Sequence, residues 1–188
     1  MRLKRKAPPT PVETARLVLR PARMGDAEAL FEVCGDPDVA RFMTWDAHRS
    51  VRETRALVRR MIRAYRTAPP FFFVIELKEE RRAVGMIGLV FYHERDRYAE
   101  VGYSLSRAYW NRGLMSEALR GMLAFCFATL GLNRVEAQHE TENPASGAVM
   151  RRAGFRHEGT LRGRLFNKGL HHDMEQYGIL KDQFTAQA

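Results

Sequence analysis

The chain has 188 residues, 45% hydrophobic and 28% charged, a balance that suits one soluble domain with a sizeable core. It carries 31 Lys and Arg against 22 Asp and Glu, net +9; four cations (Arg2, Lys4, Arg5, Lys6) sit in the first eleven residues, leaving +5 beyond them. Two cysteines exclude a disulfide framework, no apolar run is long enough for a membrane span, and no apolar segment follows the basic start, so a cytoplasmic protein is expected.

Residues 1–11 are basic and proline-rich without periodicity, which predicts a flexible tail, either solvated or attracting RNA. Residues 12–182 read as one domain and 183–188 as a C-terminal tail. Arg16 to Arg20 alternates as a first strand, and Asp26 is expected to cap a helix ending at Gly35, ahead of Pro37. A second helix is predicted from Ser50 to Thr67. It carries an apolar stripe (Val51, Val58, Met61, Ile62, Tyr65) and an arginine stripe (Arg52, Arg55, Arg59, Arg63, Arg66) that faces water or a partner. Strands follow at 71–77, at 82–92 and through Glu100 to Leu105.

The next stretch, YSLSRAYWNRGLMSEALRGM from Tyr103 to Met122, organises the rest. A strand runs into a polar loop, Trp110-Asn111-Arg112-Gly113, and a helix opens at Leu114. Free N–H groups in the first turn and the helix dipole favour an anion there, and Gly113 lets a ligand approach the backbone. A phosphate or pyrophosphate is the natural guest, and neither a Walker loop nor a G-x-G-x-x-G fingerprint is present. The helix is expected to stop at Gly131, before a strand at 133–139. Asn143-Pro144-Ala145-Ser146 then opens another helix, with Asn at N-cap and Pro at N1, that ends at Gly154. Two strands, 155–166 and 170–180, close the domain.

The run W-N-R-G-L-M-S-E-A resembles the pyrophosphate-binding motif of the GNAT superfamily of N-acetyltransferases, in its RimJ/RimL-like branch, which acetylates ribosomal-protein N-termini. Met115 stands where many members have Gly or Ala. N-P-A-S-G-A-V-M-R-R-A-G-F resembles the family's second signature. G-x-L-R-x-x-L-F-x-x-G from Gly159, with His172, Asp173 and Tyr177, resembles this branch's C-terminal hairpin. The likeness runs from about Thr14 to Leu180. It implies an α/β (α+β) fold: a single GNAT-like domain with a mixed, twisted sheet of about seven strands, splayed at its centre and flanked by about four helices. It implies acetyl-CoA as cosubstrate and no metal. The pantetheine arm would bond the backbone at Tyr103, Ser104 and Leu105. The pyrophosphate would meet the segment from Asn111 through Arg112, Gly113, Leu114, Met115 and Ser116 to Glu117. Asn143 would contribute a further cofactor contact; Arg151 and Arg152 either reach the CoA phosphates or form a solvated helix face.

The implied reaction is direct attack of an amine on the thioester, which needs a base, oxyanion support and help for the leaving thiolate. Glu100 is the candidate base, Ser146 the hydrogen-bond donor to sulfur, and Asn143 stands beside them, although its N-cap role alone explains it. Many relatives carry a tyrosine shortly before the G-F pair, where this chain has Met150 and Arg151. His157, His171, His172 and Asp173 do not suggest a metal site, because adjacent strand residues point to opposite faces. Trp45 and Asp46 either line the acceptor cleft or sit beneath a loop. A protein N-terminal α-amine is the first expected acceptor, since its pKa leaves part of it neutral at pH 7. A polyamine or aminoglycoside is the alternative. A ribosome- or RNA-binding module with CoA as a sensor ligand is the reading from another class. Ribosome association and a homodimer are both compatible with these readings.

Overall fold

The computed structural model describes residues 8–66, 69 and 71–184; most of the basic tail and residues 185–188 lie outside them. In chain order the elements are β1 (Val12–Glu13), β2 (Leu17–Arg20), α1 (Ala27–Cys34), α2 (Pro37–Ala40), α3 (Val51–Ala64), β3 (Phe72–Leu77), β4 (Arg82–His93) and β5 (Tyr98–Leu105). Then come α4 (Leu114–Ala124), β6 (Arg134–Glu140), α5 (Pro144–Arg152), β7 (Arg156–Asn167) and β8 (Leu170–Leu180).

The eight strands form one mixed sheet in the order β1-β2-β3-β4-β5-β6-β8-β7. β5 and β6 are its parallel pair, and they pair over three residues: Tyr98 with Arg134, Ala99 with Val135 and Glu100 with Glu136. Beyond Glu100 each strand continues on its outer partner, β5 on β4 and β6 on β8, and the two separate. The expected splay therefore begins at Glu100. Helix α4 packs on β1, β2 and β4, and α5 packs on β6, β7 and α4.

Two elements differ from the sequence expectation. The two-residue β1 raises the strand number to eight, and Pro37, expected only to end a helix, opens α2. There Asp36 is the N-cap, accepting from the Asp38 amide at 2.8 Å. Four residues are too short to show helical periodicity, so the pattern carried no signal. Helix α4 also changes pitch: Phe125–Thr129 is a π-helical stretch. This places the consecutive Phe125, Cys126 and Phe127 all in the core, with Phe125 edge-on to Phe71 and Phe73. The arginine stripe of α3 is exposed throughout, and Arg55 pairs with Glu28.

Asp26 precedes α1 as expected, but its carboxylate does not cap the helix. It takes two bonds from the Arg20 guanidinium, at 2.9 and 2.7 Å, and one from the Arg23 amide at 2.7 Å. Arg20 Nε also reaches Glu76 on β3 at 2.5 Å. The Arg20 and Asp26 side chains are only 7% and 8% exposed, so this pair is dry and tolerates no missing partner. Asp26→Ala is expected to lower unfolding stability by about 3 kcal/mol in denaturant titration, because it strips a buried guanidinium of its bidentate partner. A loss no larger than that of an exposed ion pair would show the pair to be dispensable.

Candidate active site

Where β5 and β6 part, a cavity of about 530 Å³ opens between the end of β5, the first turn of α4 and the first turn of α5. The loop that feeds α4 has two left-handed residues, Asn111 at φ 60° and Gly113 at φ 74°. Asn tolerates this region and Gly adopts it freely, which is why N-R-G suits this turn. Loops of this kind gather successive N–H groups into an anion-holding concavity. Among the described residues no side chain caps α4. Its Leu114, Met115 and Ser116 line the cavity, and their amides belong to the first turn, which has no intrahelical acceptor. The Ser116 hydroxyl is also buried there without a hydrogen-bond partner among the described residues.

Glu117 behaves differently from the rest of the motif. Its N–H bonds the Gly113 carbonyl at 3.1 Å, so it is spent inside the helix and not offered to a ligand. Its carboxylate accepts from the Thr14 hydroxyl at 2.6 Å, the Arg16 amide at 2.7 Å and the Arg16 guanidinium at 2.7 Å. Arg16 Nη1 in turn donates to the Arg112 carbonyl at 3.0 Å. The β1–β2 turn thus braces the Asn111–Gly113 loop from behind. Burial alone would raise the Glu117 pKa, but the bonds from Thr14 and Arg16 outweigh it and hold the carboxyl below its usual range. Nothing in the sequence near Arg16 announces this contact, which spans about a hundred positions.

On the other wall, Asn143 caps α5, its side chain accepting from the Ser146 amide at 3.3 Å. Asn143, Ser146 and Arg152 line the cavity with Tyr103, Ser104, Leu105 and Asn111. The Tyr103 hydroxyl crosses the gap to the Ser146 hydroxyl at 2.8 Å, a contact that sequence spacing did not reveal. The Leu105 carbonyl accepts from the Trp110 indole at 2.8 Å. Met150 is fully buried and takes no part in the wall. Residues 41–43 also line the cavity, and the β7–β8 turn is fastened to them: Asn167 donates to the Met43 carbonyl and Lys168 to the Ala40 and Arg41 carbonyls.

Glu100 is not part of that wall. It stands three residues before Tyr103 on a continuous strand, so the two side chains face opposite sides of the sheet. Gln138 on β6 donates to its carboxylate at 2.9 Å. Burial raises the Glu100 pKa and nearby Glu136 adds to the rise, against smaller opposing effects of the Gln138 bond and Arg164. Arg112 also lies outside the cavity lining, with its guanidinium 5.3 Å from the Tyr109 ring centre.

His171 and His172 do diverge. His171 Nδ1 meets the Gly163 carbonyl, while His172 Nδ1 is 3.2 Å from Glu140. Among the described residues no group of three His, Cys, Asp or Glu is placed to hold a metal ion. Trp45 packs half-buried against the core beside His48 and is not in the cavity wall. Both cysteines are fully buried, and burial pushes each thiol up to about 12, which removes them as acyl-carrying nucleophiles.

A sheet split at its centre, with an uncapped helix beginning beside the split, leaves a cleft whose first-turn amides face a cavity open to a ligand. The acetyltransferase (GNAT) domain model matches residues 16–156, and the chain belongs to that family. It is 30% identical to p20, an uncharacterized N-acetyltransferase of Bacillus licheniformis, over 92% of this chain and 97% of that one. It is 26% identical to the ribosomal-protein-serine acetyltransferase of Escherichia coli, over 71% of this chain and 73% of that one. A GNAT acetyltransferase structure from Bacillus anthracis superposes with a TM-score of 0.83 at 26% identity, covering 92% of this chain and 99% of that one. The protein is an N-acetyltransferase.

The Glu117 brace has a pH signature. Its folded pKa is lowered, so its contribution is present above the unfolded carboxylate pKa and is lost as pH falls through the folded value. Glu117→Gln is therefore expected to melt earlier than the parent at neutral pH, and the difference should shrink on acidification below the ordinary carboxylate range. A melting difference independent of pH would mean that ionisation of Glu117 does not matter to the brace.

Proposed function

We propose that the enzyme takes its acetyl group from acetyl-CoA and delivers it to the α-amine of a protein N-terminus, a ribosomal protein being the first candidate. The observation that carries this reading is the two-sided gap. An uncapped helix end and Ser116 lie on the cavity side, and a desolvated carboxylate, Glu100, lies on the opposite face of the same strand. A thioester carrier lying in the cavity would present its carbonyl at the gap, and an amine would approach from the Glu100 side. The likeness to the Escherichia coli ribosomal-protein-serine acetyltransferase supports the protein acceptor.

In this mechanism the neutral amine nitrogen attacks the acetyl carbon. Glu100, directly or through water, takes a proton from nitrogen, and the sulfur leaves as thiolate beside Ser146. A carboxylate with a raised pKa is a better match to proton transfer near neutrality than an exposed one. An α-amine needs less help from it than a lysine amine does. The assay follows release of CoA thiol from acetyl-CoA with an alanine-started basic peptide, an α-blocked copy, a polyamine and a blank without acceptor. Release with the free α-amine alone is expected. Release with the polyamine alone would contradict the protein-acceptor reading and move the activity to small amines.

Two substitutions separate the faces. Glu100→Gln should lower kcat by about 100-fold with acetyl-CoA affinity unchanged. The parent loses activity as pH falls through the raised Glu100 pKa, and the variant should lack that limb. Ser116→Ala deletes a hydroxyl without a partner among the described residues, so thermal stability should hold or rise slightly. Acetyl-CoA affinity should fall about tenfold, the scale of a lost hydrogen bond to a charged group. A stable variant with unaltered affinity would take Ser116 out of the anion site.

A further inference from the structure

The Ser146 hydroxyl plays no part in the cap of α5, which is made by Asn143. The Tyr103 hydroxyl lies 2.8 Å from Ser146 Oγ and 3.2 Å from the Ser146 carbonyl. Both side chains line the cavity. The next residue, Gly147, is pressed against β6, where an added Cβ would stand 2.5 Å from His139 Nε2. The first turn of α5 is therefore seated tightly, and Ser146 rides on a rigid element.

A phenol has one proton and a serine hydroxyl has one. When an acceptor such as a thiolate lies in the cavity, one arrangement turns a proton of the pair toward it. Tyr103 donates to Ser146 Oγ, and Ser146 turns its own proton toward the acceptor. In the reverse arrangement Ser146 donates to the phenol and the phenol's proton goes to the Ser146 carbonyl at 3.2 Å, so the pair turns no donor toward a thiolate. We propose that Tyr103 is a positioning residue for the leaving group: its phenol orients the Ser146 hydroxyl so that Ser146 donates a hydrogen bond to the departing CoA sulfur. This rests on acetyl-CoA being the donor.

In the step concerned, the amine nitrogen forms its bond to the acetyl carbon, the carbon–sulfur bond breaks, and its electron pair leaves on sulfur. The amine proton passes to the base and the thiolate is finally protonated from solvent, so Ser146 and Tyr103 each keep their proton. Burial holds the Tyr103 pKa well above that of an ordinary phenol, so it stays a donor throughout the working range. The arrangement answers the weakness of serine as an acid, because hydrogen bonding to a thiolate requires no proton to leave oxygen.

The test reads the bound thiol itself and needs no acceptor. CoA is bound to the parent, to Tyr103→Phe, to Ser146→Ala and to the double variant, and its thiolate absorbance is titrated against pH. The parent is expected to titrate the bound thiol below free CoA. Each single variant should raise that midpoint by about one pH unit, tenfold in thiolate fraction. The double variant should go no further than Ser146→Ala, because the two groups act in series. Affinity for CoA at a pH where the thiol is protonated should stay within about twofold.

The proposal is overturned if Tyr103→Phe titrates like the parent while Ser146→Ala shifts, if the double variant shifts by the sum of the singles, or if the parent leaves the thiol unperturbed. Should Tyr103→Phe melt early, 3-fluorotyrosine at position 103 gives a stronger donor of nearly the same shape and must lower the midpoint; no change would also overturn the proposal. A parent that does not bind CoA at all fails before any substitution, and that failure belongs to the donor reading.

Discussion

The structure depends on the short pairing of β5 with β6. Three parallel residue pairs join the halves of the sheet, and after Glu100 and Glu136 the strands part while each stays hydrogen-bonded to its outer neighbour. The inner edges beyond that point carry backbone N–H and C=O groups with no strand partner across the gap, and such groups require some other partner. Both functional helices start from these diverging ends: α4 after the loop that leaves β5, and α5 after the turn that leaves β6. Tyr103 reaches over the gap to α5 and ties the two walls together without closing it.

One unmet polar group, the Ser116 hydroxyl, belongs to a residue that lines this opening. Among the described residues three buried side-chain atoms have no hydrogen-bond partner: Ser116 Oγ at the start of α4, and His139 Nε2 and Glu140 Oε1 at the end of β6. Each such group costs about 1–3 kcal/mol in a folded protein. The rest of the fold offsets that cost with the Phe71, Phe73 and Phe125 cluster and the Glu117 brace. The Asn111–Gly113 loop is stiffened from outside, by Arg16 and by Thr14 through Glu117. This bracing lets a helix end remain uncapped without fraying.

Much of this was legible in the chain, because its signals are local. Asn143-Pro144 reads as an N-cap followed by Pro at N1, as found, and the left-handed backbone at Asn111 and Gly113 suits the N-R-G sequence. The core stripe of α3 and the arginine stripe opposite it follow from a period of 3.6. What was not legible is non-local or depends on register. Asp26 reads as a cap because a cap needs only its neighbours, yet Arg20 and Arg23 claim the carboxylate. Glu117 was read with the anion motif, and the contact that redirects it comes from the first strands of the chain. The opposition of Glu100 and Tyr103 is implicit in strand alternation. The pairing of Tyr103 with Ser146 appears only when β5 and α5 are placed in space.

Backbone amide hydrogen exchange with and without acetyl-CoA tests the central claim, that the gap between β5 and β6 is where the donor lies. The account predicts that acetyl-CoA slows exchange at the free first-turn amides of Leu114, Met115 and Ser116, and along 103–105 on the inner edge of β5. The amide of Glu117, already bonded to Gly113, should change little. Protection that appeared on α3 instead, with 103–105 and 114–116 exchanging as before, would contradict it.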